Sequence, residues 1–194
     1  MRVLGIAGSP RRGGNTETLL DGFLDGARSA GADVEKIAIA PLQIHGCTAC
    51  NGCWGDGECV IEDDLQAVEA QLIAADVIAL AAPLFFWGLP AQVKALVDRG
   101  QALWARKFIL KAPLPPGASG HPRRRGVFLS AGGEAQPDFA GAIKTVRGFF
   151  GVHAADYWAE LLYGDMDDRD AARRHPTALQ EAFALGVEAG RAPI

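Results

Sequence analysis

Short apolar segments alternate with amphipathic segments along the whole chain. Five apolar runs have the length of a strand and cover residues 3–7, 34–39, 77–82, 127–131 and 157–163. Elsewhere apolar residues recur every three or four positions, which predicts helices over residues 16–30, 64–75, 90–105, 138–150 and 169–190. Strands that alternate with helices and are apolar on both faces form a parallel sheet covered on both sides. We therefore expect an α/β fold.

Five such units are typical of a flavodoxin-like, doubly wound, five-stranded parallel sheet with the order 2-1-3-4-5. In this architecture ligands bind beyond the carboxyl ends of the strands, near the point where the strand order reverses. Three loops meet this condition, and they cover residues 9–15, 83–89 and 131–136. We expect these loops to line a ligand site.

The composition limits the number of domains and the kinds of partner. A chain of 194 residues with 49% hydrophobic content predicts a single domain over residues 1–194. The net charge of −4, without a basic face, argues against nucleic-acid binding. The apolar runs are far shorter than a membrane span, and the N-terminus lacks the features of a signal peptide. We expect a cytoplasmic protein that binds neither nucleic acid nor membrane.

The loop after the first strand has the composition of a phosphate site. Its glycines allow close backbone approach, and the N–H groups that open the following helix carry partial positive charge. It matches neither the P-loop nor the dinucleotide fingerprint, and two alternatives stay open: a simple turn, or side chains that cap the helix. The candidate cofactor-binding residues here are Ser9, Arg11, Gly14, Asn15, Thr16 and Glu17, of which Ser9, Arg11, Asn15 and Thr16, with the adjoining amides, are expected to hold the phosphate.

The other two loops carry aromatic side chains and bare backbone. The candidate ring-binding residues are Pro83, Leu84, Phe85, Phe86, Trp87 and Gly88 in one loop, and Ala131, Gly132 and Gly133 in the other. A phosphate cradle beside an aromatic loop and a glycine loop predicts an FMN site. The aromatic loop has a second interpretation as a hydrophobic patch for dimerisation, and one loop can serve both purposes.

All four cysteines lie in one loop, over residues 43–62. Cys47, Cys50, Cys53 and Cys59 have the spacing C-x2-C-x2-C-x5-C, close to the ferredoxin run that binds an iron–sulfur cluster. A 4Fe–4S cluster is the leading interpretation. Free or partly oxidised thiols and a zinc ion are the alternatives, while two disulfides are disfavoured in a cytosolic chain.

A loop rich in proline and glycine is predicted over residues 111–122. Arg123, Arg124 and Arg125 follow it at the start of the fourth strand. Since short charge runs are usually solvated, we expect these arginines at the surface, and contact with the phosphates of a nicotinamide nucleotide is the alternative.

With these motifs assembled, the chain resembles the NADPH-dependent FMN reductase group of the flavodoxin superfamily, and within it the iron–sulfur flavoproteins. The residues that carry the resemblance are Gly8-Ser9-Pro10-Arg11 with Gly14-Asn15-Thr16, residues 83–91, Lys94 with Asp98-Arg99, and the four cysteines followed by Asp63-Asp64. The resemblance implies FMN, NAD(P)H as donor, and a homodimer, or a tetramer of paired dimers, in which each site is completed by the partner.

Three functional hypotheses follow. The first is an FMN-dependent NAD(P)H oxidoreductase that passes electrons to a small acceptor such as a quinone, a flavin or a nitro compound. The second is an iron–sulfur flavoprotein electron carrier that serves a protein partner such as ferredoxin, and the third is a redox-sensing cysteine protein without turnover. Flavin chemistry resides in the cofactor, so no catalytic acid or base is assigned.

Overall fold

A computed structural model describes residues 1–191 and contains the expected five-stranded parallel sheet. The strands are β1 (Arg2–Ala7), β2 (Asp33–Ala38), β3 (Val77–Pro83), β4 (Arg124–Ala131) and β5 (Ala155–Tyr163). Their order in the sheet is β2-β1-β3-β4-β5, and every neighbouring pair is parallel. The fold class and strand order predicted from the hydrophobic pattern are confirmed.

Helices cover both faces of the sheet. They are α1 (Asn15–Ser29), α2 (Leu65–Ala74), α3 (Ala91–Arg99), α4 (Gln101–Phe108), α5 (Ala140–Val152), α6 (Ala171–Arg174) and α7 (Ala178–Arg191), with a short 3-10 turn over Gly52–Trp54. Successive residues of β3 point into opposite cores, because side chains alternate across a strand. Ala79 packs in the core with α1 and α7, and Leu80 packs in the core with α2, α3 and α5. None of the helices within residues 1–191 combines the length and the apolar character that a bilayer span requires.

Two predicted helices are each divided in two. The helix expected over residues 90–105 breaks at Gly100, between α3 and α4. The helix expected over residues 169–190 breaks between α6 and α7, where the ring nitrogen Nδ1 of His175 accepts the N–H groups of Thr177 and Ala178 at 3.3 and 3.1 Å. Hydrophobic period alone did not reveal these breaks, because the apolar face continues across each of them.

Helices α1 and α7 pack backbone against backbone. A Cβ atom on Gly26 would overlap the carbonyl oxygen of Phe183, and a Cβ atom on Gly186 would overlap that of Phe23. Both glycines are therefore required by the close approach of the two helices, which encloses the core on that face of the sheet.

The expectation of a solvated arginine run is wrong for Arg124. Its side chain is fully buried and donates to the carbonyl oxygens of Ile73, Pro115 and His153, with the last two at 2.8 and 3.1 Å. Burial lowers its pKa. Arg124 thus ties the loop over residues 111–122, which has no regular structure as predicted, to the end of α2.

Candidate functional site

A cleft of about 220 Å³ opens beyond the carboxyl ends of β1, β3 and β4. Its position is the one predicted from strand order. Ten of the candidate cofactor residues line it: Ser9, Arg11, Gly14, Asn15, Thr16, Pro83, Leu84, Phe85, Ala131 and Gly133. The other five, Glu17, Phe86, Trp87, Gly88 and Gly132, lie outside the lining. The three predicted loops are therefore brought together.

The first turn of α1 faces this cleft without a side-chain cap. Gly14 is the N-cap residue, and no side chain in the described part of the chain caps the helix there. The hydroxyl of Ser9 instead accepts the N–H of Arg11 at 3.1 Å. The alternative in which Ser9, Asn15 or Thr16 caps α1 is thus not realised, and the N–H groups of the first turn are directed at whatever occupies the cleft.

Asn15 connects the phosphate loop to a segment that the sequence analysis missed. Its side-chain amide donates to the carbonyls of Met166 and Asp168 at 2.8 and 2.7 Å, and its oxygen accepts the N–H of Ala172 at 3.0 Å. Met166 and Asp167 consequently form a wall of the cleft. The signal was available, since β5 neighbours β4 and its carboxyl end lies at the same edge of the sheet.

Glu17 stabilises the loop over residues 9–15 without lining the cleft. Its buried carboxylate accepts the N–H of Gly13 at 2.7 Å and pairs with Arg12 at 2.9 Å and Lys36 at 3.1 Å. Burial opposes its ionisation, but these hydrogen bonds outweigh burial and lower the pKa of Glu17 to about 2. The carboxylate holds Gly13 at a φ of +65°, a left-handed conformation that glycine adopts without strain.

The aromatic loop is a tight hairpin. The N–H and C=O groups of Phe85 and Gly88 bond each other at 2.9 and 3.0 Å, and the two central residues, Phe86 and Trp87, have φ values of 47° and 60°. These values match a type I′ turn, which normally takes Asn-Gly. Phe86 is 95% exposed and Trp87 61% exposed. Two large aromatic side chains are thus held in solvent at an unfavourable backbone conformation.

The glycine loop contributes less free backbone than predicted. The N–H of Gly132 donates to the carbonyl of Tyr163 at 2.9 Å, and the carbonyl of Ala131 accepts the N–H of Leu84 at 2.9 Å. Gly133 lies beside Asp167, since a Cβ atom there would be 2.7 Å from the Asp167 carboxylate. Gly133 is therefore the position in this loop where bare backbone reaches the cleft.

The cysteine loop lies beside the start of α4. Cys47, Cys50 and Cys53 line a hollow of about 380 Å³ together with Trp54, Asp98 and Gln101. Burial raises the pKa of the Cys53 thiol, and the charges of Cys59, Cys47 and Cys50 raise it further. All four thiols are free. Across residues 1–191, no three His, Cys, Asp or Glu side chains are gathered closely enough to hold a metal ion as the loop stands.

Arg99, at the end of α3, anchors this loop. Its guanidinium donates to Cys59 Sγ at 3.1 Å and to Asp63 Oδ2 at 2.7 Å. Burial opposes ionisation of Asp63, but hydrogen bonds, first that of Arg99, lower its pKa. Because α3 also follows the aromatic hairpin directly, one helix of about 14 Å connects the cleft with the cysteine loop.

Comparison with known proteins identifies the family of this chain. The family model described as NADPH-dependent FMN reductase matches residues 1–144, well over half of the chain. The chain belongs to the NADPH-dependent FMN reductase family. As a member of that family it is a flavin oxidoreductase, which confirms the class of enzyme that the three loops and the resemblance predicted.

Relatives of this FMN reductase family member include iron-sulfur flavoproteins and quinone oxidoreductases. An iron-sulfur flavoprotein from Methanosarcina thermophila is 32% identical over 153 residues, which cover 79% of this chain and 74% of the relative. An FMN-dependent NADH:quinone oxidoreductase from Ralstonia nicotianae is 38% identical over 93 residues, 45% of this chain and 44% of the relative. The crystal structure of an azoreductase from Bacillus anthracis str. Sterne has a TM-score of 0.69 at 19% identity, covering 97% of this chain and 99% of that one, and it supports the fold alone.

Proposed function

We propose that this chain binds FMN by its phosphate at the first turn of α1 and uses it as an NAD(P)H-dependent oxidoreductase. The observation that carries the proposal is the uncapped N-terminus of α1, which faces a cleft lined by the aromatic hairpin and the glycine loop. A helix N-terminus with bare N–H groups is suited to a phosphate monoester, and the hairpin supplies an apolar border for a flat ring. The acceptor is a small molecule such as a quinone, a flavin or a nitro compound.

The chain's own residues bind and orient in this proposal. Ser9, Arg11 and Thr16 would hold the phosphate with the amides of the first turn, while Asn15 and Glu17 fix the loop around it. Pro83, Leu84, Phe85 and Gly133 would border the ring. When bound, the flavin supplies hydride acceptance from NAD(P)H and delivery of two electrons to the acceptor. The protein therefore needs no acid or base of its own.

Anaerobic stopped-flow absorbance tests this activity. We expect FMN-loaded protein to lose its visible flavin absorbance when it is mixed with NADPH or NADH, and to recover it when a quinone is added. Bleaching by neither nucleotide, in protein with FMN bound, would contradict the oxidoreductase proposal. Bleaching only by reduced ferredoxin would favour the second candidate, an electron carrier, which the similarity to an iron-sulfur flavoprotein supports.

We further propose that the cysteine loop holds a 4Fe–4S cluster. The chemistry of the donor set fits it: Cys47, Cys50, Cys53 and Cys59 are free thiols on one short, glycine-rich loop, and thiolates are the ligands that iron–sulfur clusters take. The hollow beside three of them gives room, and Arg99 already donates an N–H to the fourth sulfur, a common contact around such clusters. When bound, the cluster would supply transfer of single electrons.

Metal and sulfide analysis after anaerobic purification separates the alternatives for the cysteine loop. Four irons and four sulfides for each chain are expected for the proposed cluster. One zinc for each chain without sulfide, or four titratable thiols without metal, would contradict the cluster and leave the FMN proposal intact.

A homodimer is the assembly we propose, formed through the aromatic hairpin. Phe86 and Trp87 are exposed at the rim of the cleft in a conformation that favours much smaller residues. Burying both against a second copy would compensate for that backbone cost and would add a wall to the open side of the cleft.

A further inference from the structure

One buried arginine joins both ends of the cysteine loop. Arg99 is 1% exposed, and its guanidinium donates to the carbonyl of His45 at 3.0 Å and to that of Ile61 at 2.8 Å. These residues stand on either side of the four cysteines in sequence. The same side chain is paired with Asp63, whose own side chain is 3% exposed. Arg99 therefore fixes where the loop leaves and rejoins the fold.

Arg99 donates its remaining N–H, on Nε, to one of the four cysteine sulfurs. Its Nε–H is directed at Cys59 Sγ at 3.1 Å. Cys47 Sγ accepts a backbone N–H from Ala49 at 3.4 Å, and the Cys53 thiol faces the carbonyl of Gln101 at 3.8 Å. Among the residues that the structure describes, Cys59 alone of the four cysteines receives a guanidinium hydrogen bond. A charged donor in a buried position stabilises negative charge on that sulfur more strongly than a neutral one.

We propose that Arg99 is a positioning residue that fixes Cys59 as the anchored sulfur of the loop and raises the reduction potential of the iron–sulfur group bound there. This rests on the proposed cluster. Reduction by one electron adds negative charge that is shared with the ligating sulfurs, so a hydrogen bond to one of them stabilises the reduced form more than the oxidised form. Loss of that hydrogen bond should therefore make reduction more difficult.

The test compares Arg99→Lys with wild type in the full-length chain. After anaerobic reconstitution with iron and sulfide, midpoint potentials are measured by dithionite titration followed by electron paramagnetic resonance. We expect a more negative midpoint for Arg99→Lys, with FMN affinity within twofold of wild type. Arg106→Lys is the matched control, because Arg106 packs on Gly57 in the same loop but makes no hydrogen bond to a cysteine sulfur in the described residues. Its midpoint should stay at the wild-type value.

A second measurement needs no variant, and it covers the case in which Arg99→Lys does not fold. In reduced wild-type protein labelled with ¹⁵N-arginine, pulsed electron paramagnetic resonance should detect weak coupling to one arginine nitrogen. Absence of that coupling, or an unchanged midpoint in iron-loaded Arg99→Lys, would overturn the proposed role of Arg99 and leave the cluster proposal intact. Failure of wild type to take up iron while it binds FMN would overturn the cluster, and this inference with it.

Discussion

The side-chain amide of Asn15 donates to the main-chain carbonyl of Met166 at 2.8 Å, joining the start of α1 to the segment after β5. The contact links residues 151 positions apart. It places two walls of the cleft in a fixed relation, because the same amide also reaches the carbonyl of Asp168 at 2.7 Å. The shape of the proposed phosphate site therefore depends on a residue whose own side chain is occupied by protein.

Replacing Asn15 with alanine should weaken the site through the loss of this link. We expect Asn15→Ala to raise the dissociation constant for FMN at least tenfold. It should also lower the free energy of unfolding by about 1–3 kcal/mol, since buried carbonyls and the Ala172 N–H lose their partner. Fluorescence titration with FMN and urea denaturation measure the two effects. Lys144→Ala, at an exposed position of α5, is the control and should change neither.

The contact between α1 and α7 makes a second prediction. Gly186→Ala places a Cβ atom against the carbonyl of Phe23, so we expect a loss of stability of about 3 kcal/mol from overpacking. Gly22→Ala is the matched control in the same helix pair, because its Cβ would lie 3.6 Å from that of Ala182, an ordinary contact. Alanine is the better helix former, so Gly22→Ala should be neutral or stabilising by up to about 1 kcal/mol. If thermal unfolding showed equal effects of the two substitutions, the close approach of α1 and α7 would not be the cause of the stability loss.

The hydrophobic pattern predicted the sheet and the edge at which the cleft opens, because both depend on strands that are apolar on two faces. It could not predict the wall at Met166 and Asp167, which depends on the single side chain of Asn15. Nor did charge predict the burial of Arg124, since the three carbonyls that accept hydrogen bonds from its guanidinium come from three segments outside its own strand. Pattern therefore predicted the layers, while individual polar contacts determine the details of the site.

Stability should fall in mild acid because of His153. The side chain is 3% exposed, and burial, with the nearby charge of Arg124, lowers its pKa to about 4 against the opposing effect of the Phe149 carbonyl. Since this pKa lies below the ordinary value of 6.5, the unfolded chain binds the proton first, and stability decreases as pH falls from about 6.5 to about 4. Between pH 7 and pH 5 the contribution is about 2 kcal/mol.

Urea denaturation at the two pH values measures this effect. On going from pH 7 to pH 5, His153→Gln should lose about 2 kcal/mol less stability than wild type. The other titrating groups are common to both proteins. If His153→Gln lost as much stability as wild type between pH 7 and pH 5, a group other than His153 would be the cause.

We expect the aromatic side chains of the hairpin to lower the stability of the single chain and to strengthen the dimer. Replacing Phe86 and Trp87 together with asparagine and glycine keeps the type I′ turn and places at its positive φ values two residues that adopt them with little strain. We expect the single chain to gain about 1–2 kcal/mol and the dimer dissociation constant to rise at least tenfold, measured by denaturation and by analytical ultracentrifugation. Phe183→Ser removes an exposed aromatic on α7 and should leave assembly unchanged. A wild-type chain that is monomeric at high concentration would contradict the dimer.

The most direct measurement of the central claim is a comparison of FMN and riboflavin binding by fluorescence titration. The two ligands share the ring and differ in the terminal phosphate, which is proposed to lie against the uncapped N–H groups of α1. Charge-assisted hydrogen bonds of that kind should make FMN bind about a hundredfold more tightly, a difference of about 2.7 kcal/mol. Equal affinities, or no binding of FMN at all, would contradict the site and the function built on it.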